Sequence, residues 1–248
     1  MISGRKNSIV LKRVATVTST NEYLKNHFKT LPHGFALMAD SQSAGRGRAG
    51  RSWMSEPGKD LTASFLYLLP RNISQYTANM TQMLALSVHR VLAGYGVDTE
   101  IKWPNDVLCT GKKICGILIE GVFSQNQQYL ICGLGINVGG SPRVLERCTT
   151  TSLVAEGVDG VSREALLRAI MGDFTQEVEL LAQGKDLSSV MKQLNRCLAY
   201  VGTYQWISRG EDVQERGLIE GLSPHGELLY RTSTGTQRTL CAGEILFS

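Results

Sequence analysis

The chain of 248 residues carries 26 Lys and Arg against 22 Asp and Glu, a formal net charge of +4, and 42% of it is hydrophobic. That length suits one large folded domain with a smaller companion, and 26 Gly with only 6 Pro and no biased tract exclude a disordered or fibrous chain. The modest basic excess is compatible with anionic ligands but below what nucleic-acid binders usually show, and no apolar run approaches the ~18 residues of a membrane span.

In chain order, the opening MISGRKNSIVLKRV has charges but no apolar stretch of a secretory leader, so the reading is a soluble cytoplasmic protein with no membrane association. Ser19, Thr20 and Asn21 then either cap a helix through Glu22, Tyr23 and Leu24 or present hydroxyls and a donor to a neutral polar ligand; taken alone, capping wins. GRGRAGRSW, Gly45 to Trp53, spaces Arg46, Arg48 and Arg51 among three glycines. Its GxGxxG spacing is not followed by a helical period, and no GxxxxGK[ST] occurs, so neither a dinucleotide fingerprint nor a P-loop is present. What remains is a pliable loop offering guanidinium forks to carboxylate or phosphate, with a solvated basic turn or a nucleic-acid patch as the competing readings.

Ala63 to Leu69 is predicted to be a buried strand. Met80, Met83, Leu84, Val88, Val91 and Leu92 follow at helical spacing and stop near Gly94 and Gly96. KWPND, Lys102 to Asp106, reads by itself as a turn with Asn105 and Asp106 at a strand mouth. Lys112 and Lys113 lead into a strand at Ile114 to Phe123, and Tyr129 to Val138 forms the next. Gly116, and the two glycines of GLGIN (Gly133 to Asn137), point to something approaching the backbone, although packing alone also explains such glycines. Ser162 caps a predicted helix reaching Gly184, and another spans Ser188 to Leu198. After Tyr200 come brief strands with a hairpin at Ser223 to Gly226, read as a small barrel. The six cysteines form no CxxC and no Cys/His cluster, which argues against a structural zinc site.

Taken in order, STNEYL, DSQSAGRGRAGRSW, KWPNDV, KKICGILIEG, GLGIN and TTSL resemble the biotin protein ligases across roughly residues 15 to 155, and GELL followed by AGEI resembles that family's terminal barrel. The resemblance implies an α+β fold: a mixed β-sheet with helices packed on it, like the catalytic domain of class II aminoacyl-tRNA synthetases, over residues 1–198, then a small SH3-like β-barrel over 199–248. It implies two half-reactions using ATP with Mg2+: biotin becomes biotinyl-AMP, then biotin passes to a lysine of a biotin carboxyl carrier protein domain. By resemblance Ser19, Thr20, Asn21, Gln42, Gly45, Arg46, Lys113, Gly116 and Gly135 belong to the biotin site. Arg48, Arg51, Trp53, Asn105, Asp106 and Asn137 belong to the nucleotide site, with Trp53 a stacking face for adenine. Arg48, Lys113 and Asp106 are the catalytic candidates, Asp106 for orienting or deprotonating the incoming lysine. No metal ligands are assigned.

The mixed anhydride hydrolyses if water reaches it, so the arginine loop is expected to close over product. Fewer than 20 residues precede the STN motif, which predicts an enzyme without the DNA-binding segment of some relatives. Some relatives also carry a basic residue after GEI, which this chain lacks. Lipoate attachment and a non-catalytic basic ligand- or nucleic-acid-binding module are the alternatives, and the subunit is read as a monomer or homodimer.

Overall fold

A computed structural model describes residues 9–145, 148–210 and 214–247. Most of the opening segment that bears on a leader, and the terminal Ser248, lie outside them. The first unit comprises β1 (Val10–Val17), α1 (Thr20–His27), β2 (Phe35–Gln42), β3 (Leu61–Leu69), α2 (Met80–Gly94), β4 (Glu100–Lys102), β5 (Asp106–Cys109), β6 (Lys112–Ser124), β7 (Gln127–Ile136), α3 (Arg163–Ala182) and α4 (Leu187–Arg196). Its strands form one sheet in the order β1-β2-β3-β7-β6-β5-β4, with β1 and β2 parallel and the other neighbours antiparallel. This is the mixed sheet with packed helices that the motif order implies. KWPND is the tight connection between β4 and β5, so its turn reading holds.

Alternation along the strands gives the sheet two unlike faces. Ala63, Phe65 and Tyr67 of β3, with Cys132 and Leu134 of β7, point into the larger core, where α2 and α3 lay Met83, Leu84, Val88, Leu166, Ile170 and Phe174 over them. Phe174 packs edge-on against Phe65 and Tyr67 at ring separations of 5.7 and 5.4 Å. Side chains of this size each contribute about 1.5–3 kcal/mol by leaving water, which makes this face the main source of stability. Both helices match the predicted periodicity, and Ser162 caps α3 by accepting from the Ala165 amide at 3.3 Å.

The opposite face carries Thr62 and Ser64 of β3, Gly133 and Gly135 of β7, and Gly116 and Leu118 of β6, which face one another across the register. α1 covers only one end of it, packing Leu24 and Phe28 against Leu37, Leu66 and Ile131. The remainder of that face stays open.

The chain then forms β8 (Tyr204–Ser208), β9 (Gln214–Leu222), β10 (Leu228–Thr232), β11 (Gln237–Leu240) and β12 (Glu244–Ile245), an antiparallel sheet in the order β11-β10-β9-β8-β12. The closed barrel expected from the sequence is not what forms: among the described residues β11 and β12 stay unpaired edges. The two-residue β12 is too short to bridge to β11, and it runs instead beside β8 toward the open face of the first sheet.

The hairpin between β9 and β10 anchors this small sheet. Asn79 Nδ2 donates to the His225 carbonyl at 2.6 Å, while Gln82 Nε2 and Trp103 Nε1 donate to the Gly226 carbonyl at 2.6 and 3.1 Å. Gly226 has φ +82°, and a Cβ there would lie inside contact distance of Gln82 Oε1 and Asn79 Nδ2. Gly226→Ala is therefore expected to cost about 2 kcal/mol or more, through both the left-handed backbone and the displaced donors. A urea midpoint equal to that of the unaltered chain would contradict this anchoring role.

Candidate active site

The open face of the large sheet and the edge of the small one enclose a cavity of about 1420 Å³. Its floor follows from register. Thr62, Gly135, Gly116, Asp106 and Lys102 lie directly opposite one another across β3, β7, β6, β5 and β4, so all five point the same way. The two central positions are glycines, which leaves a trough bounded by a hydroxyl at one end and a carboxylate with two lysines at the other.

The indole of Trp53 rests on that trough. A Cβ at Gly116 would come within 2.9 Å of Trp53 Cζ3, and one at Gly135 would overlap the ring. Glycine is thus required here by space, as the sequence suggested. Among the described residues Trp53 Nε1 and Thr62 Oγ1 are buried without a hydrogen-bond partner. Buried polar atoms of this kind each carry a desolvation cost of about 1–3 kcal/mol, and both belong to residues lining the cavity.

At the Thr62 end a polar nest forms. Thr20 donates its amide and hydroxyl to Gln42 Oε1 at 2.7 and 3.1 Å. Ser64 Oγ lies 2.7 Å from Thr20 Oγ1 and 2.6 Å from Asn21 Oδ1. Asn21 Nδ2 donates to the Leu118 carbonyl and to Glu120 Oε2, while Lys25 Nζ donates to Glu120 Oε1 at 3.0 Å. Ser19 caps α1 by accepting from the Glu22 amide at 3.5 Å, so capping and cavity lining coexist at the STN motif. Ser64 and Glu120 were absent from the residues singled out in the sequence; the signal for Ser64 was a small polar residue inside the apolar run ASFLYLL.

At the other end three cations converge. Lys113 Nζ lies 2.7 Å from Asp106 Oδ1, off the direction of a hydrogen bond, and 5.7 Å from the Trp53 ring centre. Lys102, which the sequence reading passed over inside KWPND, is 3% exposed at its side chain, 3.7 Å from Asp106 Oδ2 and 4.0 Å from the ring centre of Phe247. Burial pushes its ammonium below the ordinary lysine range, against the pull of Asp106 and Glu244. Arg48 lines the same region, and burial lowers its guanidinium as well, with Glu244 opposing, Arg51 adding to the lowering and Asp106 opposing.

A lysine depressed in the folded state carries a linkage consequence. The unfolded chain keeps that proton up to about pH 10.5, so unfolded molecules bind more protons in the interval below it and stability rises as pH climbs through that interval. Lys102→Met removes the effect: the melting temperature of the variant relative to the unaltered chain should be most favourable near neutral pH and decline toward pH 10.5. A constant offset across the range would show that Lys102 is not desolvated as described.

The arginine loop folds back on itself as a hairpin, with Trp53 N donating to Gly45 O at 2.9 Å and Gly47 N to Arg51 O at 2.6 Å. Gly45 sits where a Cβ would meet the Trp53 carbonyl and Gln42 Nε2, so glycine joins the loop to the polar nest. Arg51 turns to the small sheet and pairs with Glu244 at 2.8 Å, a contact invisible at the sequence level because 193 positions separate the partners. Arg46 reaches outward to Glu22 at 3.7 Å and is half exposed.

Two other predicted residues are placed less directly. Asn105 lines the cavity but donates its amide to the Ile117 carbonyl at 3.0 Å, tying β6 to the KWPND turn. Asn137 donates to the carbonyls of Thr151 and Lys113 at 2.8 and 3.3 Å and borders a smaller space of about 90 Å³ that shares Trp53 and Lys113 with the main cavity. Gly45 is at the loop base and not in the cavity wall.

Residues 13–137 match the model of the biotin/lipoate A/B protein ligase family. The chain is 30% identical over 220 residues to a biotin–[acetyl-CoA-carboxylase] ligase of Paracoccus denitrificans, an alignment covering 85% of this chain and 89% of that one. It is 39% identical over 127 residues to a bifunctional ligase/repressor BirA of Bacillus spizizenii; there the match covers 50% of this chain and 38% of the relative. The biotin protein ligase of Aquifex aeolicus in complex with biotin and ATP superposes with a TM-score of 0.80 at 28% identity, covering 95% of this chain and 97% of that one. With the motif order, the glycine-floored trough and its basic end all in place, this chain belongs to the biotin/lipoate A/B protein ligase family, among the biotin protein ligases.

Proposed function

We propose that the chain activates biotin with ATP and transfers it to a lysine of a biotin carboxyl carrier protein domain. In the first step a biotin carboxylate oxygen attacks the α-phosphorus, forming the mixed anhydride biotinyl-AMP and releasing pyrophosphate. In the second, the amine of the acceptor lysine attacks the carbonyl, the carbon–oxygen bond to phosphate breaks, and AMP leaves as the amine loses a proton. The observation that carries this reading is the trough itself, with a neutral polar nest at one end and Arg48, Lys102 and Lys113 gathered at the other. Two anions meet in the first step, so fixed cations are what the site must supply.

The polar nest favours biotin over lipoate. A ureido ring offers N–H donors and a carbonyl acceptor to Thr20, Asn21, Gln42 and Ser64, whereas a dithiolane ring offers none of comparable strength. Sites built to hydrogen-bond a substrate reject analogues lacking those groups by roughly 10⁴–10⁵. On this reading Arg46 and Lys113 take the carboxylate, Arg48 and Lys113 the α-phosphate, and Trp53 the adenine.

Among the described residues no group of three or more His, Cys, Asp or Glu is arranged to hold a metal, and Asp106 is already paired with two lysines. The described residues by themselves do not form a magnesium cage. No helix of the described residues is long and apolar enough to cross a membrane, and an ATP-consuming chain with six unpaired cysteines fits the cytoplasm. We assign residues 1–198 to the catalytic unit and 199–248 to a module of SH3-like type.

Pyrophosphate exchange into ATP, run in parallel with biotin and with lipoate, tests the assignment. Biotin should support exchange and lipoate should not. Exchange with lipoate alone would reassign the substrate, and no exchange with either would remove the enzymatic reading.

A further inference from the structure

The small sheet has a wet side that the reaction as written does not use. On β8 and β9, Tyr204 opposes Leu218, Trp206 opposes Arg216 and Ser208 opposes Gln214, so these side chains share one face. Glu244 of β12 is opposite Ser208 and joins them. Alternate residues such as Ile207 and Ile219 point the other way and are fully buried, so the sheet has its core on that side.

One end of this face belongs to the active-site wall: Ser208, Gln214 and Glu244 all line the cavity. Moving outward along the same strands, the face becomes aromatic. Among the described residues Tyr204 is 48% and Trp206 51% exposed, a high exposure for two large rings on one face. The Arg216 guanidinium sits 5.7 Å from the Tyr204 ring centre, and among the described residues it has no carboxylate partner. Trp, Tyr and Arg are the residue types that dominate the centres of protein interfaces, because each buries a large area while retaining a polar handle.

We infer that this Tyr204–Trp206–Arg216 face is the docking platform for the protein domain that carries the acceptor lysine, a deduction resting on the transfer reaction proposed above. Reach supplies the argument. A lysine side chain extends only about 6 Å beyond its Cα, so an acceptor whose amine meets the anhydride must press its surface against the rim of the cavity. The rim formed by Ser208, Gln214 and Glu244 leads without interruption into the aromatic face. Charge gives the complement: Arg216 carries a positive charge on this face with no carboxylate partner among the described residues, and Lys112, exposed, lines the cavity as well. The acceptor should therefore present apolar and acidic side chains beside its lysine. None of the three platform residues reaches the cavity.

Trp206→Ala and Arg216→Glu in the full chain provide the test, with a purified apo biotin carboxyl carrier protein domain as acceptor. Biotin-dependent pyrophosphate exchange needs no acceptor and should stay within about twofold of the unaltered protein in both variants, which also shows that they fold. KM for the carrier domain should rise on the order of tenfold or more, as expected when an interface tryptophan is truncated, while KM for biotin and ATP is unmoved. Trp206→Phe should recover most of the loss. Unchanged KM for the carrier domain with intact exchange overturns the platform and leaves the ligase reading standing. Absence of exchange in the unaltered chain overturns both. Indole fluorescence that responds, through Trp206, to a mixed-sequence single-stranded oligonucleotide and not to the carrier domain would reassign the face to nucleic acid and overturn the inference.

Discussion

Lys113→Ala is expected to lower biotin-dependent pyrophosphate exchange by about 10²- to 10³-fold, the cost of removing a single preorganised donor from a developing oxyanion, or about 3 kcal/mol of barrier. The ammonium is held from three sides. Asp106 Oδ1 is 2.7 Å away, the Trp53 ring lies beneath it, and its Cε and Nζ stand 3.1 and 3.2 Å from where a Gly116 side chain would begin. In the proposed reaction a compact charge at this end of the trough would meet both the carboxylate and the α-phosphate, and the attraction would strengthen as negative charge gathers between them.

Truncating it also leaves Asp106 with only the more distant Lys102, at 3.7 Å, so part of any loss could come from an uncompensated carboxylate. The double variant Lys113→Ala/Asp106→Asn separates the two. If Lys113 acts on the reacting anions, the double variant stays as slow in exchange as the single one. Recovery to within a few fold of the unaltered rate would mean that Lys113 serves chiefly to neutralise Asp106.

Asp106→Asn should show its largest effect in the other half-reaction. Transfer from preformed biotinyl-AMP is expected to slow about 100-fold near neutral pH, at the lower end of what positioned acid–base groups contribute. An acceptor lysine has an ordinary pKa near 10.4 and must shed its proton before it attacks. If the carboxylate receives or directs that proton, the deficit should shrink as pH rises toward 10.4, where free amine is plentiful without help. The same deficit at every pH would reduce Asp106 to a structural partner of its two lysines. The shape of the profile, more than the size of the loss, identifies the role.

How the site is assembled explains why so much of it could be read in advance. GRGRAGRSW, KWPND, KKICG and GLGIN each carry their chemistry within a few consecutive residues, and local spacing dictates what a short segment can present. The glycines at 116 and 135 signalled close approach because a strand tolerates Gly poorly without a reason. Helices α2 and α3 were visible for a similar cause: an apolar stripe at helical spacing has one way to bury itself. The polar nest was only half visible. Thr20 and Gln42 stood in recognised motifs, whereas Ser64 looked like one more residue of an apolar strand until register set it beside Thr20 and Asn21.

The sequence alone determined the element types, the order of the motifs and the residue kinds that meet anions, because each of these depends on neighbours along the chain. Tertiary structure decided which residues share the trough. Strand pairing aligned Thr62, Gly135, Gly116, Asp106 and Lys102 in one row. Chain reversal brought Glu244 to Arg51 and Phe247 to Lys102. It also left the small sheet open where a closed barrel was expected. Such partners lie many tens of residues apart, and cross-strand register and the docking of one sheet on another are fixed by packing over the whole core, which no local pattern encodes.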